Sequence, residues 1–199
     1  MKKVLLREFY SFECKDGICQ DFLTEAEKKH NADGGLIFPA KLQEADVKNG
    51  NGRSYPKAIL EREVNNYKNL ISDNRAYGEL DHPDDSVINL KNVSHMITEV
   101  FWNGNEVMGK VKVLDTPSGN IMKSIINSGG KMGFSSRSLG TVTENNGTTT
   151  VNDDLQLICF DAVSEPSTPG AFALNENVTQ KPFEKIDRIR RLLNEIKGL

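Results

Sequence analysis

The residues of this chain that can carry out acyl transfer lie beside predicted turns and strand ends. Ser135 belongs to a glycine- and serine-rich stretch over residues 129–140. A serine hydroxyl becomes a nucleophile only when a base lies within hydrogen-bond reach and donors face the developing oxyanion. The backbone N–H groups around Ser135 and Ser136, together with Arg137, are candidate donors. The same stretch is also typical of a turn with solvated hydroxyls, because glycine and serine cluster in turns.

The base must come from one of three histidines, His30, His82 and His95. His82 precedes Pro83, which favours an extended or turn conformation and predicts that the imidazole lies at a strand end. A neutral imidazole that accepts a proton needs a partner that fixes its tautomer and stabilises its charged form. One candidate partner is Asp161, which follows an apolar segment, because a buried carboxylate requires compensation. His95 is the other candidate.

Residues 81–85 offer a different chemistry, since imidazole and carboxylate groups also bind metal ions. A metal-dependent hydrolase built on this turn is therefore an alternative. The chain supplies no ligands at the spacing typical of zinc sites, and Cys14 and Cys19 have no second ligand pair. The residues alone thus leave a serine hydrolase, a metal hydrolase and a solvated acidic turn open.

Composition is that of one globular domain of 199 residues. A net charge of −3 argues against nonspecific binding of nucleic acid through the whole surface. The odd number of cysteines, three, favours a reducing compartment. No apolar run approaches the length of a membrane span, and the N-terminus lacks the apolar region of a signal peptide.

The pattern of apolar residues predicts an α+β protein. Helical spacing predicts helices over 56–71 and 117–127, and residues 24–30 form either a short helix or a polar loop. Strands are predicted over 3–15, 36–40 and 76–80. Two hairpins are predicted, one pairing 93–102 with 106–114 and the other pairing 141–143 with 149–161. The whole indicates an antiparallel β core with about three helices.

The C-terminal region differs from the rest. From Phe183 onward apolar residues follow helical spacing, and residues 181–199 carry six basic and three acidic side chains. We therefore divide the chain into a main domain over 1–175 and, over 176–199, a linker followed by an amphipathic helix.

Four segments, in this order, resemble the prohead (procapsid maturation) proteases of tailed bacteriophages, in the T4-like branch. They are Asn51–Lys57, Gly78–Pro83, Gly133–Gly140 and Phe160–Ala171. Each is weak alone, but four in register are a specific signal. The four segments span roughly residues 45–175, and the first forty residues and the tail match poorly.

The resemblance implies a serine endopeptidase with an antiparallel β-barrel-like core and a few flanking helices, related in fold to the herpesvirus assemblins. The family's histidine falls on His82 and its nucleophile on Ser135, with the third member placed at Asp161. The assemblins have a histidine as third member, so His95 stays open. Ser136 and Arg137 would support the oxyanion, and no metal or cofactor is required.

The resemblance also implies what the protease acts on. Its substrates would be phage scaffold or core and major capsid proteins, cleaved after glutamate in Leu/Ile-x-Glu contexts inside the assembling procapsid in the host cytoplasm. This chain contains such triplets ending at Glu176 and Glu195, which predicts self-cleavage and a removable tail. A homo-oligomer is expected, with neither nucleic acid nor membrane as partner. The alternative is a non-enzymatic capsid or tail-tube-like assembly protein with the same barrel.

Overall fold

A computed structural model describes residues 4–10, 22–145 and 147–164. Within these ranges the chain forms three α-helices and ten β-strands. The helices are α1 (Glu25–Ala32), α2 (Lys57–Ser72) and α3 (Pro117–Asn127). The strands are β1 (Val4–Tyr10), β2 (Ile37–Glu44), β3 (Arg53–Ser54), β4 (Tyr77–Glu79), β5 (Val93–Asn103), β6 (Glu106–Val113), β7 (Gly133–Gly140), β8 (Val142–Asn145), β9 (Thr148–Val151) and β10 (Gln156–Val163).

Helices α1 and α3 have side-chain N-caps, whereas α2 has none and buries one apolar face. The predicted helices over 56–71 and 117–127 form, and Leu60, Val64 and Tyr67 bury one side of α2. The segment left open between helix and loop is helix α1. Its N-terminus is held by a capping box in which the Thr24 side chain accepts from the Glu27 N–H and the Glu27 carboxylate accepts from the Thr24 N–H.

A four-stranded antiparallel sheet has the order β2-β6-β5-β4. Its centre is the predicted hairpin of β5 and β6, which turns at Gly104 with a φ of 61°. Such a φ favours glycine because a side chain would be strained there. Ile97, Val107 and Val111 are buried in the core beneath this hairpin.

A second antiparallel sheet has β7 in the middle and β1 and β10 on its two sides. The prediction that 149–161 forms one arm of a hairpin is therefore wrong in part. Strand β9 pairs with β8, whereas β10 pairs with β7. The chain turns between them because the Leu155 N–H bonds to the Asn152 carbonyl and the Asp154 carboxylate accepts from the Thr141 N–H.

The two sheets approach each other at both edges. On one side a parallel bridge joins Leu80 to Ala162, and the Asp81 N–H donates to the Ala162 carbonyl at 2.7 Å. On the other side β1 packs beside β2. The described ladders do not connect β1 and β2 by hydrogen bonds, so a closed barrel and the relation to the assemblins stay predictions.

Several predictions fall outside the described residues. These are the segment containing Cys14 and Cys19, the domain boundary at 175/176 and the C-terminal amphipathic helix. In the ranges that the structure describes, no helix is both long enough and apolar enough to cross a membrane.

Candidate active site

Ser135 lies inside a strand rather than in a turn. Residues of an antiparallel pair that face each other share one side of the sheet. Ser135 pairs with Asp161 and Arg137 pairs with Cys159, which places all four side chains on the same face of the β7–β10 pair. The serine-rich segment is thus the buried middle strand of its sheet, which rigidly positions the hydroxyl.

His82 joins Ser135 to Asp161. The Oγ of Ser135 lies 3.1 Å from Nε2 of His82, and Nδ1 of His82 lies 2.7 Å from Oδ2 of Asp161. With the proton on Nδ1 donated to the carboxylate, Nε2 is left to accept the Ser135 hydroxyl proton. The imidazole follows β4 directly, at a strand end as the proline had predicted. The structure therefore brings together the three residues that the resemblance had singled out.

The Asp161 carboxylate is completely buried yet favoured in its charged form. Burial by itself raises the pKa of Asp161. The hydrogen bond with His82, the charge of Arg137 and the Glu79 N–H at 3.0 Å outweigh burial and hold that pKa below its ordinary value. A carboxylate of this kind stabilises an imidazolium beside it.

Arg137 does not take the predicted oxyanion role. Its guanidinium is fully buried and faces the carboxylates of Glu79 and Asp161, with NH2 at 2.8 Å from Glu79 Oε1 and 3.1 Å from Asp161 Oδ1. NH1 donates to the Asp85 carbonyl at 2.8 Å, and Nε lies 3.2 Å from Cys159 Sγ. Each nitrogen is thus directed at these partners and not at the Ser135 hydroxyl.

Ser136 does not fit an oxyanion role either. Its side chain lies on the face of β7 opposite Ser135, because neighbouring residues of a strand alternate. The Ser136 Oγ is buried and has no hydrogen-bond partner among the described residues. Its backbone N–H lies in the plane of a sheet with a strand on both sides, so it points at a neighbouring strand and not at the face that carries the site.

His95, the other candidate for third member, is placed elsewhere. Its Nε2 lies 3.0 Å from the Phe160 carbonyl oxygen and its Nδ1 2.8 Å from the Ser94 hydroxyl. Both ring nitrogens are therefore bonded away from His82. The ring is fully buried, and desolvation lowers the pKa of His95 to about 4, which keeps it neutral at ordinary pH.

Two buried residues at this site were missed by the sequence reasoning. Glu79 accepts from Arg137 and, through Oε1, from the Asn89 N–H at 3.0 Å. Cys159 donates from Sγ to Asp161 Oδ1 at 3.3 Å, and burial raises the pKa of its thiol, which keeps it protonated. The available signal was that Glu79 and Cys159 each stand in an apolar strand next to a predicted site residue.

The described residues do not assemble a metal site. No group of three or more histidine, cysteine, aspartate or glutamate side chains in them could hold a metal ion. Of the acidic turn, Asp85 contributes its carbonyl to Arg137 and its carboxylate to the Val87 N–H at 3.0 Å.

Access to this group of residues is narrow. Ser135 has no exposed surface, and the His82 side chain is 6% exposed. Gly78 sets the close approach of β4 to β10, because a Cβ there would lie 2.1 Å from the Phe160 carbonyl oxygen. The site is therefore enclosed at the junction between the two sheets.

Comparison with known proteins places this geometry in a family. The model of the prohead core protein serine protease family matches residues 15–182, which include Ser135, His82 and Asp161. The chain belongs to this family. The prohead core protein protease of Enterobacteria phage T4 is 34% identical over 158 residues, which are 77% of this chain and 74% of that relative.

A solved structure supports the same family at the level of the fold. The bacteriophage T4 capsid assembly protease matches with a TM-score of 0.69 and 29% identity, over 83% of this chain and 100% of that one. The mixed α+β arrangement of helices and antiparallel sheets is therefore that of a prohead protease.

Proposed function

We propose that this prohead protease is a serine endopeptidase with Ser135 as nucleophile, His82 as general base and Asp161 as the residue that orients the imidazole. The observation that carries the proposal is the continuous chain of short contacts, 3.1 Å from Ser135 to His82 and 2.7 Å from His82 to Asp161. This is the geometry that activates a serine hydroxyl.

The reaction follows from these contacts. His82 Nε2 takes the hydroxyl proton while Ser135 Oγ bonds to the carbonyl carbon of the scissile peptide. The imidazolium, stabilised by Asp161, then gives that proton to the leaving amine as the C–N bond breaks. A water molecule attacks the acyl-enzyme with His82 again as base, which releases the acid product and restores Ser135.

The substrates proposed are the capsid and core proteins of the phage, cleaved inside the assembling procapsid in the host cytoplasm. Membership in the prohead core protein family supports this substrate class. Cleavage after glutamate in Leu/Ile-x-Glu contexts belongs to the same proposal. So do self-cleavage after Glu176 or Glu195, which lie outside the described residues, and a homo-oligomeric state, which light scattering of the purified chain can measure.

The decisive experiment measures hydrolysis of a peptide with a Leu-x-Glu sequence by the wild type, Ser135→Ala and Ser136→Ala. Ser136 is the matched control because it is an equally buried neighbouring serine whose side chain faces away from His82. We expect Ser135→Ala to abolish cleavage and Ser136→Ala to retain most of it. Equal cleavage by all three proteins would overturn the assignment of Ser135 as nucleophile. Three equally inert proteins, in assembled as well as free form, would favour a non-enzymatic assembly protein.

Self-cleavage has its own measurement. Mass spectrometry of the aged wild-type chain should find products ending at Glu176 or Glu195, and the Ser135→Ala chain should stay intact. An intact C-terminus in a wild-type sample that cleaves the peptide would exclude self-cleavage but not the protease.

A further inference from the structure

A charged pair lies buried directly behind the three proposed catalytic residues. Glu79 and Arg137 both have no exposed surface, and their side chains meet at 2.8 Å. Arg137 is at the same time an ion-pair partner of Asp161, with its Nε 2.9 Å from Oδ2. One guanidinium therefore stands between two carboxylates in the interior of the protein.

Fold stability alone does not account for this pair. Removing charges from water costs free energy that a buried ion pair often fails to recover, and apolar side chains of similar volume stabilise a core at least as well. The cost is increased here because Oε2 of Glu79 has no hydrogen-bond partner among the described residues. A buried arrangement that makes the free energy of folding less favourable points to a role in the adjoining site.

The pair fixes the carboxylate beside the imidazole. Arg137 contacts the two carboxylate oxygens of Asp161, which sets the plane of that carboxylate. The Glu79 N–H donates to Oδ1 of Asp161 as well, which leaves Oδ2 directed at His82. Arg137 and Glu79 therefore set the orientation of the Asp161 oxygen that accepts the hydrogen bond from His82.

The same pair fastens the loop over residues 80–92 that carries His82. Arg137 donates to the Asp85 carbonyl at 2.8 Å, and Glu79 accepts from the Asn89 N–H at 3.0 Å. Asp81, directly before the histidine, has a φ of 68°, a left-handed conformation that aspartate tolerates, and its carboxylate accepts from the His82 N–H at 2.9 Å. The two anchors hold the loop at points on either side of residues 86–88.

We propose that Glu79 and Arg137 are a pair of positioning residues, which together orient the Asp161 carboxylate and hold the His82 loop in register with Ser135. The proposal rests on the proposed function, in which these three residues perform the chemistry. It assigns to Glu79 a role in turnover and replaces the oxyanion role expected of Arg137.

The test compares two buried carboxylates of the full-length protein. Glu79→Gln keeps the size of the side chain and one acceptor oxygen but removes the charge. The matched control is Glu63→Gln, because Glu63 is also buried, is paired with Arg62 at 2.9 Å and accepts from the Leu157 N–H, away from the site. Arg137→Lys and Arg62→Lys form a second matched pair, in which a single ammonium replaces the guanidinium fork.

We expect Glu79→Gln to lower kcat for the Leu-x-Glu peptide by about tenfold to a hundredfold with KM within about twofold of the wild type, because the reacting groups are misplaced while substrate contacts remain. Arg137→Lys should lower kcat at least as much. Glu63→Gln and Arg62→Lys should change kcat by less than about twofold, because both residues lie away from the site.

A second readout does not depend on turnover. The proton on Nδ1 of His82 gives a low-field NMR resonance because it is hydrogen-bonded to Asp161, and the resonance is assigned by its loss in His82→Ala. We expect it to shift or broaden in Glu79→Gln and to stay in place in Glu63→Gln. Since no substrate is needed, this measurement tests the positioning even if Ser135→Ala shows that the proposed function fails.

The outcomes are separable. A Glu79→Gln protein with wild-type kcat and an unshifted low-field resonance overturns the proposal, as do equal losses of kcat in Glu79→Gln and Glu63→Gln. If Arg137→Lys does not fold, the pair of glutamate variants decides the question alone.

Discussion

The hairpin of β5 and β6 and the strand pair of β7 and β10 are both antiparallel, yet the second pair buries more polar and charged side chains than the first. The hairpin covers the core with residues such as Ile97 and Val111. The β7–β10 pair buries Ser135, Arg137 and Asp161. Apolar burial stabilises the fold directly, whereas a buried polar group costs free energy unless it finds a partner. The first pair of strands therefore stabilises the fold, and the second lowers its stability while it positions the proposed catalytic groups.

The largest expected effect is the loss of activity when Asp161, in the β7–β10 pair, is changed. We expect Asp161→Asn to lower kcat/KM by about 10⁴-fold, because an amide cannot hold the imidazole in the required tautomer or stabilise its charge. Peptide hydrolysis by the purified variant checks this. A loss smaller than tenfold would mean that another residue orients His82.

A substitution in the β5–β6 hairpin should have the opposite effect, a loss of stability without a loss of activity. Ile97→Ala should lower the free energy of unfolding by about 3 kcal/mol, because it leaves a cavity beneath β5 and β6. Its kcat/KM, measured well below the unfolding temperature, should match the wild type. Urea unfolding gives the first quantity, and a proportional loss of activity would show that the two strand pairs are not separable in this way.

His95 sharpens the comparison because it belongs to β5 but bonds to β10. Its pKa of about 4 in the folded protein lies below the ordinary value of 6.5, so the unfolded chain binds the proton more readily. The contribution of neutral His95 to the free energy of unfolding is fully present above pH 6.5. It is lost as the pH falls toward 4, by about 2 kcal/mol between pH 7.5 and pH 5. In His95→Gln that part of the pH dependence should be absent from urea unfolding curves. An unchanged pH dependence would assign it to the carboxylates.

The smallest effect is expected far from both strand pairs. Thr24→Ala removes one half of the capping box of α1 and should cost about 1 kcal/mol of stability with no change in kcat/KM. Thr24→Ser, which keeps the hydroxyl, should restore most of the loss. Thermal unfolding of the three proteins measures both values, and a failure of serine to restore stability would point to packing of the threonine methyl group.

The sequence predicted the apolar pair of strands better than the polar one. The β5–β6 hairpin and α3 have the expected bounds because alternation, helical spacing and the turn at Gly104 all agree. Strand β7 has no such signal, since a run of serines around Arg137 is typical of turns. The pairing of β10 was missed because the turn after Val151 contains neither glycine nor proline and is formed by side-chain contacts of Asp154.

The site shows the same limit. The residues alone supplied a serine, histidines and an aspartate without distances, and the family resemblance selected among them. Glu79 could not be found in this way, because the value of a buried charge depends on a partner that is 58 positions away in the chain. Long-range polar pairing leaves no periodic mark in a sequence, whereas apolar packing does.

The absence of exposed surface at Ser135 has a kinetic consequence. A scissile bond cannot reach a hydroxyl that a water-sized probe does not touch, so in the proposed mechanism an opening step precedes acylation of Ser135. If the open form has a population of about one per cent, the apparent rate of acylation is reduced about a hundredfold from its intrinsic value. A different limit applies when opening is slower than the reaction that follows it. Two reagents that differ greatly in chemical reactivity would in that limit modify Ser135 at nearly the same rate. The rate of this prohead protease would in that case report the motion of its own chain and not the chemistry of its substrate.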